Sequence, residues 1–246
     1  MNKNSGNFGK LAKNYKAVRS TYPVKIIKDI YSFIKTKQPI VLDLGCGTGI
    51  STHQMVKRGV EIIGCDIDAQ MLSNAKKDKS ITYVRGSAEK LPFSKSTFDA
   101  ITMFTSFHWF TSKKALTEIR RVLKPQGVVF IVQPAHKSPF TGDHVVIISK
   151  ALGKKVKSKY SKKRFEEVLT QNNFRIVEAK TYKTVNKYTL GQFLKLLQSY
   201  SIWNEVPLSK HKDVLMLLKD HFKLFLKNGL IYDTVELKLI CAKSRI

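Results

Sequence analysis

The stretch VLDLGCGTGIS (residues 41–51) places three glycines within five positions, directly after an apolar run that contains one acid, Asp43. Glycine weakens both strands and helices, because its backbone loses more conformational freedom on folding than that of any other residue. Glycines between a strand and a helix therefore favour a loop that a ligand approaches closely, beside the free N–H groups of the helix. The alternative is a tight turn that binds nothing.

Strand-like and helix-like patterns alternate after this stretch. Near-continuous apolar runs predict strands at residues 40–46, 61–68, 81–87, 97–104 and 127–134. Strands of this kind, separated by helices, are typical of a parallel sheet that is covered on both faces. A further strand is predicted over residues 174–182. The alternation in TVELKLICA (residues 234–242) predicts a final antiparallel strand with one partly wet face.

Capping and breaking residues predict where helices begin and end. Apolar residues at helical spacing predict a helix over residues 112–124, which Pro125 stops. Thr189 and Gln192 form a T-x-x-Q capping box that opens another helix. Three more helices are predicted: one that begins at Pro23, one capped by Ser161, and one from near Ser209 to Asn228 and Gly229.

The composition is that of a globular protein with a large basic excess. Hydrophobic residues make up 43% of the chain, well outside the range of disordered proteins. Lys and Arg number 44 against 18 Asp and Glu, for a net charge of +26, and 8 of the 44 are Arg. Lysine suits a solvated surface better than base-specific reading of nucleic acid, for which arginine is preferred. A non-specific basic surface and an anionic partner both stay open.

The cysteines and the N-terminus bear on metal and on compartment. Cys46, Cys65 and Cys241 are isolated, without a C-x-x-C pair, so no metal site is expected. The first 15 residues lack the apolar core of a signal peptide. No apolar run approaches the roughly 18 residues that a membrane span needs. We therefore expect a reduced, cytoplasmic protein that does not enter a membrane.

The ligand of the glycine loop is constrained by the glycine spacing. The dinucleotide fingerprint G-x-G-x-x-G fails, because after Gly45 and Gly47 the third glycine, Gly49, comes one place early. The phosphate loop needs G-K-[ST], whereas Ile50 follows Gly49 here. Asp66 ends the second strand, and an acid at this distance can accept both ribose hydroxyls of a nucleoside. A nucleoside ligand is therefore expected, with Asp66 as a plain surface acid the alternative.

Four segments together resemble the class I S-adenosylmethionine-dependent methyltransferases, in particular their methyltransferase type 11 domain family. The segments are VLDLGCGTG, GCDIDAQML, GSAEKLPFSKSTFDAITMFTSFHW and ALTEIRRVLKPQG, between about Val41 and Gln133, with a looser echo in YKAVRSTYP at residues 15–23. The resemblance implies a Rossmann-like α/β fold. Its seven-stranded sheet would be mostly parallel with a final antiparallel strand, helices on both faces and a helical cap.

We expect one domain over residues 1–246. It would consist of an N-terminal helical arm (1–36), a cofactor-binding core (37–135) and a C-terminal half (136–246) with the cap and the last two strands. The absence of internal repeats and of Gly/Ser linkers agrees with this division.

The same resemblance assigns S-adenosylmethionine as cofactor and implies a set of contacts. The loop with Asp43, Gly45 and Gly47 would hold the methionine part, and Asp66 the ribose. The remaining implied contacts are Ile67 on the adenine face, Ser87 and Ala88 at the adenine edge, and Phe104 and Thr105 at the methionine end. Ile67 is equally open to core packing. Ser87 stands where many members carry Asp, which removes one expected bond to the adenine amine.

The segment after the fourth strand bears on what is methylated. It reads FTSFHW (residues 104–109) and lacks both the Asn/Asp-Pro-Pro-aromatic element and the Pro-Cys element that resemble nucleobase methylation. We therefore expect the small-molecule branch, with an anionic, hydroxylated or carboxylated acceptor. His108 is the candidate base, or a structural histidine stacked on Trp109. Candidate substrate contacts, each also open to core packing, are Tyr15, Arg19, Tyr22, Phe107, Trp109, Tyr200 and Trp203.

The rival hypothesis is an RNA- or ribosome-directed methyltransferase. Its support is KALGKKVKSKYSKKR (residues 150–164), which holds eight basic residues and no acid and could neutralise phosphates without reading bases. The alternative is a solvated surface segment. A binding module that kept the fold is disfavoured by the intact loop, and a dehydrogenase by the glycine spacing. The oligomeric state is not predicted.

Overall fold

The computed structural model describes residues 21–134, 139–156 and 164–245. The strands within these ranges are β1 (Ile40–Leu44), β2 (Glu61–Asp66), β3 (Ile81–Arg85), β4 (Phe98–Phe104), β5 (Leu123–Pro134), β6 (Phe174–Tyr188) and β7 (Ile231–Ser244). They form a seven-stranded sheet in the order β3-β2-β1-β4-β5-β7-β6. β7 runs antiparallel to both of its neighbours, β5 and β6, whereas β1 to β5 pair in parallel. The expected mostly parallel sheet with a final antiparallel strand is confirmed.

Helices lie before β1 and between most of the consecutive strands. They are α1 (Val24–Phe33), α2 (Ile50–Gln54), α3 (Ala69–Ser73), α4 (Lys113–Val122), α5 (Pro139–Leu152), α6 (Phe165–Gln171), α7 (Leu190–Gln198) and α8 (His211–Lys223). Short 3-10 turns lie at Phe107–Trp109, Ser201–Glu205 and Leu208–Lys210. No helix in the described ranges combines the length and apolar character that crossing a bilayer requires.

The core forms on both faces of the sheet, because alternate residues of each strand point to opposite sides. On one face, Leu116 and Ile119 of α4 pack with Leu42 of β1. On the other face, Ile26 and Ile30 of α1 pack in the cluster that holds the next strand residue, Val41. This two-sided cover explains why β1 to β5 read as nearly continuous apolar runs.

Two predicted helix ends are wrong. The helix expected to reach residue 124 ends at Val122, and β5 begins at Leu123 and passes through Pro125. Proline is tolerated there because the pairing of β4 with β5 jumps from Phe98–Leu123 to Ala100–Val128, so Pro125 faces no ladder partner.

The predicted helix end at Asn228 and Gly229 is also wrong, since α8 ends at Lys223. Both residues have a positive φ, and Lys227 and Leu230 exchange backbone hydrogen bonds around them. They make the two-residue Asn-Gly turn that is typical of β-hairpins.

Of two other helix predictions, one is confirmed and the other concerns a residue outside the described ranges. Thr189 and Gln192 form the complete capping box, which confirms that prediction. α6 begins at Phe165, with Arg164 at the N-cap position, and the predicted cap Ser161 lies outside the described residues.

A two-stranded ribbon supports the helical cap above the sheet. β7 pairs with β5 no further than Leu237–Pro134, yet β6 and β7 stay paired to Tyr188–Ile231. The ribbon therefore projects past the carboxyl end of β5. Helices α5, α7 and α8 pack with its tip in an apolar cluster of their own, centred on Phe193, Leu218 and Phe222. The cap thus lies at the carboxyl edge of the sheet, where ligands bind in open α/β folds.

Candidate functional site

The glycine loop after β1 is shaped by three residues in the left-handed region, with φ of 72° at Gly45, 55° at Gly47 and 75° at Gly49. A Cβ at Gly45 would lie 2.7 Å from the Ser106 Cβ, and one at Gly49 would lie 2.1 Å from the Tyr83 Oη. A Cβ at Gly47 would meet only the terminal methyl of Met71, at 3.0 Å. Packing therefore requires glycine at positions 45 and 49, whereas position 47 is closed by backbone strain and not by a rigid neighbour.

Asp43 holds the loop from below. Its side chain is 1% exposed, and it accepts hydrogen bonds from the hydroxyls of Ser51 (2.8 Å), Thr52 (2.7 Å) and Thr102 (3.0 Å). Burial raises the pKa of this carboxyl, and the hydroxyl hydrogen bonds act in the opposite direction. The structure thus places Asp43 beneath the loop, where it joins the start of α2 to β4.

Asp66 lies at the carboxyl end of β2, beside the loop. Its Oδ2 accepts the N–H of Gly47 at 2.8 Å, and its Oδ1 accepts the N–H of Asp68 at 2.9 Å. Burial raises the pKa of Asp66, and these backbone donors act to lower it. A carboxylate has about four acceptor positions, so Asp66 keeps room for two further donors such as a pair of ribose hydroxyls.

An apolar surface continues from Asp66. Ile67 is 48% exposed, which is unusual for a large aliphatic side chain at the end of a buried strand. The N–H of Gly86 bonds to the Asp66 carbonyl at 3.0 Å, which brings the turn with Ser87 and Ala88 next to it. Exposed Ile67 beside this turn offers the kind of surface on which a flat base packs.

The exit of β4 is tied to the N-terminal segment. Thr105 has a φ of 52°, a strained value for a β-branched residue, and its Oγ1 lies 2.8 Å from the Tyr22 Oη. The Tyr22 ring packs on Phe104 with centroids 4.6 Å apart. The Gln54 amide bonds to both backbone groups of Tyr22, accepting its N–H at 2.8 Å and donating to its carbonyl at 2.9 Å.

The aromatic candidates fall into two groups. His108 and Trp109 are partly exposed on the 3-10 turn after β4, with ring centroids 4.8 Å apart. Burial lowers the pKa of His108 to about 4. Phe107 is 1% exposed and packs edge-on against Phe165, so it belongs to the core and offers a substrate no surface.

In the cap, Trp203 is 4% exposed and lies against His211, so it packs in the core of the cap. Tyr200 is partly exposed and lies against the His144 ring, at 5.6 Å between centroids. Tyr15 and Arg19 lie outside the described residues.

Comparisons with known proteins agree with this geometry. A family model described as a methyltransferase domain matches residues 42–131. An uncharacterised protein of Methanocaldococcus jannaschii is 30% identical over 220 residues, which cover 78% of this chain and 86% of that protein. The chain belongs to the class I S-adenosylmethionine-dependent methyltransferases.

Other similarities extend this result. A protein of Dictyostelium discoideum named as a methyltransferase is 30% identical over 124 residues, or 50% of this chain and 47% of that protein. The chain spans about half the length of several of the curated relatives that it matches, the Dictyostelium protein included. A structure described as a type II methyltransferase from Anaeromyxobacter dehalogenans superposes with a TM-score of 0.64 at 17% identity, covering 92% of this chain and 97% of that one. That likeness concerns the fold alone.

The residues at the carboxyl edge fit the methyl donor of this family, S-adenosylmethionine. The fit rests on the left-handed conformation of Gly47, which disfavours a side chain, on the acceptor capacity left on Asp66 and on the exposed face of Ile67. In this methyltransferase, Gly45 and Gly47 would border the methionine part, Asp66 the ribose, and Ser87 and Ala88 the adenine edge. These individual contacts stay predictions.

Sequence reasoning missed two residues that shape the site. Gln54 holds Tyr22, and the Ser106 hydroxyl donates to the Leu44 carbonyl at 2.9 Å while its Cβ packs on Gly45. Gln54 lies outside every quoted motif, and Ser106 was passed over within its segment; each acts on a partner at least 32 residues away along the chain. No local pattern in the sequence could have identified them.

Proposed function

We propose that this methyltransferase transfers the methyl group of S-adenosylmethionine to a small anionic or hydroxylated molecule. The observation that carries the proposal is the position of the cap. It is borne by the β6–β7 ribbon past the carboxyl end of β5, on the edge of the sheet where Asp66 and the glycine loop lie. A cap at this edge favours an enclosed acceptor of limited size over a macromolecule.

The charge supports an anionic acceptor. A net charge of +26 raises the local concentration of small acids near the protein. The donor supplies a methyl group on a cationic sulfonium, which is already a good leaving group. This chain's residues are then needed mainly to align the acceptor and to exclude water.

The neighbouring aromatic side chains suit that task. Tyr22 is partly exposed beside the buried Phe104 at the end of β4, and an aromatic ring face favours a nearby cation. His108, with its pKa lowered to about 4, is neutral near pH 7. The neutral imidazole can accept a hydrogen bond from a hydroxyl group of the substrate and so orient that hydroxyl. It is a weak base for removing the hydroxyl proton.

An RNA-directed methyltransferase is the second candidate, and one observation favours it. The described part of the basic segment, Lys150, Lys154, Lys155 and Arg164, is exposed without exception. The first three lie at the end of α5 in the cap or just beyond it. Arg164 lies 3.5 Å from Glu167, and the three exposed lysines are of the kind that neutralises phosphates.

The test is methyl incorporation from labelled S-adenosylmethionine into small carboxylic acids, phenols and RNA. The first variant carries Lys150→Gln, Lys154→Gln and Lys155→Gln. A matched control carries Lys76→Gln, Lys77→Gln and Lys79→Gln, which remove the same charge from exposed positions between α3 and β3.

We expect a small acid or phenol to be labelled at nearly equal rates by wild type and both variants. Labelling of RNA that falls in the first variant only, with a salt dependence that flattens by about 0.9 log unit per lost duplex phosphate contact, would replace the proposal by the second candidate.

A further inference from the structure

The N-terminal segment is joined to the helix of the glycine loop at two consecutive residues. Gln54 closes a pair of hydrogen bonds with the backbone of Tyr22. At the next position, the Met55 carbonyl accepts the hydroxyl of Tyr31. Burial raises the pKa of Tyr31 to about 12, so this phenol stays a donor at neutral pH. The segment that enters the described fold is thus fixed to α2 and not only to the sheet.

The pair between Gln54 and Tyr22 depends on the amide group. The Oε1 accepts a backbone N–H and the Nε2 donates to a backbone carbonyl, as a neighbouring peptide group would. A carboxylate offers only acceptors and an ammonium only donors. Glutamine therefore completes both bonds, which neither a glutamate carboxylate nor a lysine ammonium can do.

Tyr22, held by Gln54, in turn contacts the residues at the end of β4. Its ring lies 4.6 Å from that of Phe104, and its Oη lies 2.8 Å from the hydroxyl of Thr105. Thr105 itself is held at a φ of 52°, with its N–H on the Val132 carbonyl at 2.7 Å. A strained residue of this kind keeps its conformation only when its surroundings fix it from several sides.

The exit of β4 in turn adjoins the glycine loop. Ser106, the next residue, donates its hydroxyl to the Leu44 carbonyl and packs on Gly45. Gln54 therefore lies at one end of a continuous chain of contacts that runs through Tyr22 and Thr105 back to the loop.

We propose that Gln54 is a positioning residue for methyl transfer, which acts through Tyr22 to hold Thr105 and Phe104 at the methionine end of the methyl donor. This role deepens the proposed function and rests on its methyl-transfer site. It concerns the donor half of that site and does not depend on which molecule accepts the methyl group.

The test uses the full chain and S-adenosylhomocysteine, the demethylated form of the donor, as the probe. Its dissociation constant is measured by calorimetry for wild type, Gln54→Leu, Gln54→Glu and the control His53→Gln. His53 is the preceding residue of the same helix, and its ring lies 3.7 Å from Asp78, away from Tyr22. The urea midpoint of each unliganded variant reports the fold.

We expect Gln54→Leu to weaken binding on the order of tenfold, since the two bonds to Tyr22 are lost, while His53→Gln binds as wild type does. Gln54→Glu should be weak at pH 8, where its carboxylate faces the Tyr22 carbonyl. It should recover part of the lost affinity at pH 5, where a larger fraction of the carboxyl groups carries the proton that restores the donor.

Wild-type affinity in both Gln54 variants would overturn the proposal. So would an equal loss for Gln54→Glu at pH 5 and pH 8, because a merely structural role has no reason to depend on that proton. The probe binds without an acceptor, so a failure of the small-molecule proposal leaves this measurement readable.

Discussion

The carboxylate of Asp66 accepts the backbone N–H of Gly47 at 2.8 Å, and this bond joins the end of β2 to the glycine loop after β1. The acid that the sequence assigns to the ribose therefore also shapes the loop assigned to the methionine. Loss of its carboxylate should affect both halves of the donor site together.

Replacing Asp66 by Ala should weaken S-adenosylmethionine binding by about 1–3 kcal/mol, because the loop N–H and the ribose hydroxyls lose their acceptor. Asp66→Asn keeps one carbonyl oxygen and should bind between the two. Glu61→Ala, at the exposed opposite end of β2, is the control and should bind as wild type does. Calorimetry would contradict the assignment if Asp66→Ala kept wild-type affinity or if wild type bound NAD equally well.

Gly47 offers a second measurement on the same loop. Gly47→Ala forces a side chain into a φ of 55° and toward the Met71 methyl at 3.0 Å, a strain of about 1–2 kcal/mol. We expect donor binding to weaken by at least the amount by which folding weakens. Gly191→Ala is the matched control, since no atom lies within 4 Å of its Cβ and its φ is not positive. Titration with the methyl donor measures affinity, and urea unfolding measures stability, for both variants. A change in stability without a change in affinity would count against a loop that borders the donor.

Substitution of the buried acid Asp43 should lower the stability of the fold. Asp43→Ala leaves three hydroxyls, those of Ser51, Thr52 and Thr102, without their common acceptor in a site that is 1% exposed. We expect a loss of about 3 kcal/mol in the free energy of unfolding, against about 1 kcal/mol for the control Thr102→Val. Urea unfolding measures both, and a loss below that of the control would show that the hydroxyls find other partners.

The features predictable from the sequence are those that neighbouring residues determine. The glycine loop, the strand that ends at Asp66 and the capping box of Thr189 each show a pattern within a few neighbouring positions of the sequence. The insertion of β7 between β5 and β6 does not, because strand order depends on pairings between distant segments.

The aromatic residues illustrate the limit of the method. Tyr22 is partly exposed beside Thr105, whereas Phe107 and Trp203 are 1% and 4% exposed in two different cores. An aromatic side chain serves packing and ligand contact equally well, and only the surrounding structure decides between them. Pro125 shows the same for the backbone: a helix breaker by type, it lies in β5, at a position where the pairing with β4 skips.

His108 is expected to orient the acceptor and not to act as a general base. Burial lowers its pKa to about 4, far from the near-neutral value at which a base is most effective. His108→Asn should therefore slow methyl transfer by less than about tenfold, compared with about 10²–10⁴-fold for loss of a true base. The pH–rate profile of wild type should show no ionisation near 6.5. A larger loss, or such an ionisation removed by the substitution, would restore the catalytic assignment.

The same shift predicts how stability depends on pH. The folded pKa of His108 is about 4 and the ordinary value is 6.5, so between these values the unfolded chain binds the proton that the folded chain does not. The contribution of His108 to the free energy of unfolding is therefore fully present above pH 6.5 and is lost as the pH falls toward 4. The loss between pH 6.5 and 5 is about 2 kcal/mol. His108→Asn and His108→Gln cannot take up this proton, so urea unfolding at pH 7 and pH 5 should show a smaller acid loss for both variants than for wild type. An equal acid loss in all three proteins would mean that the His108 ring titrates alike in the folded and unfolded chain, and that solvent reaches it in the folded protein.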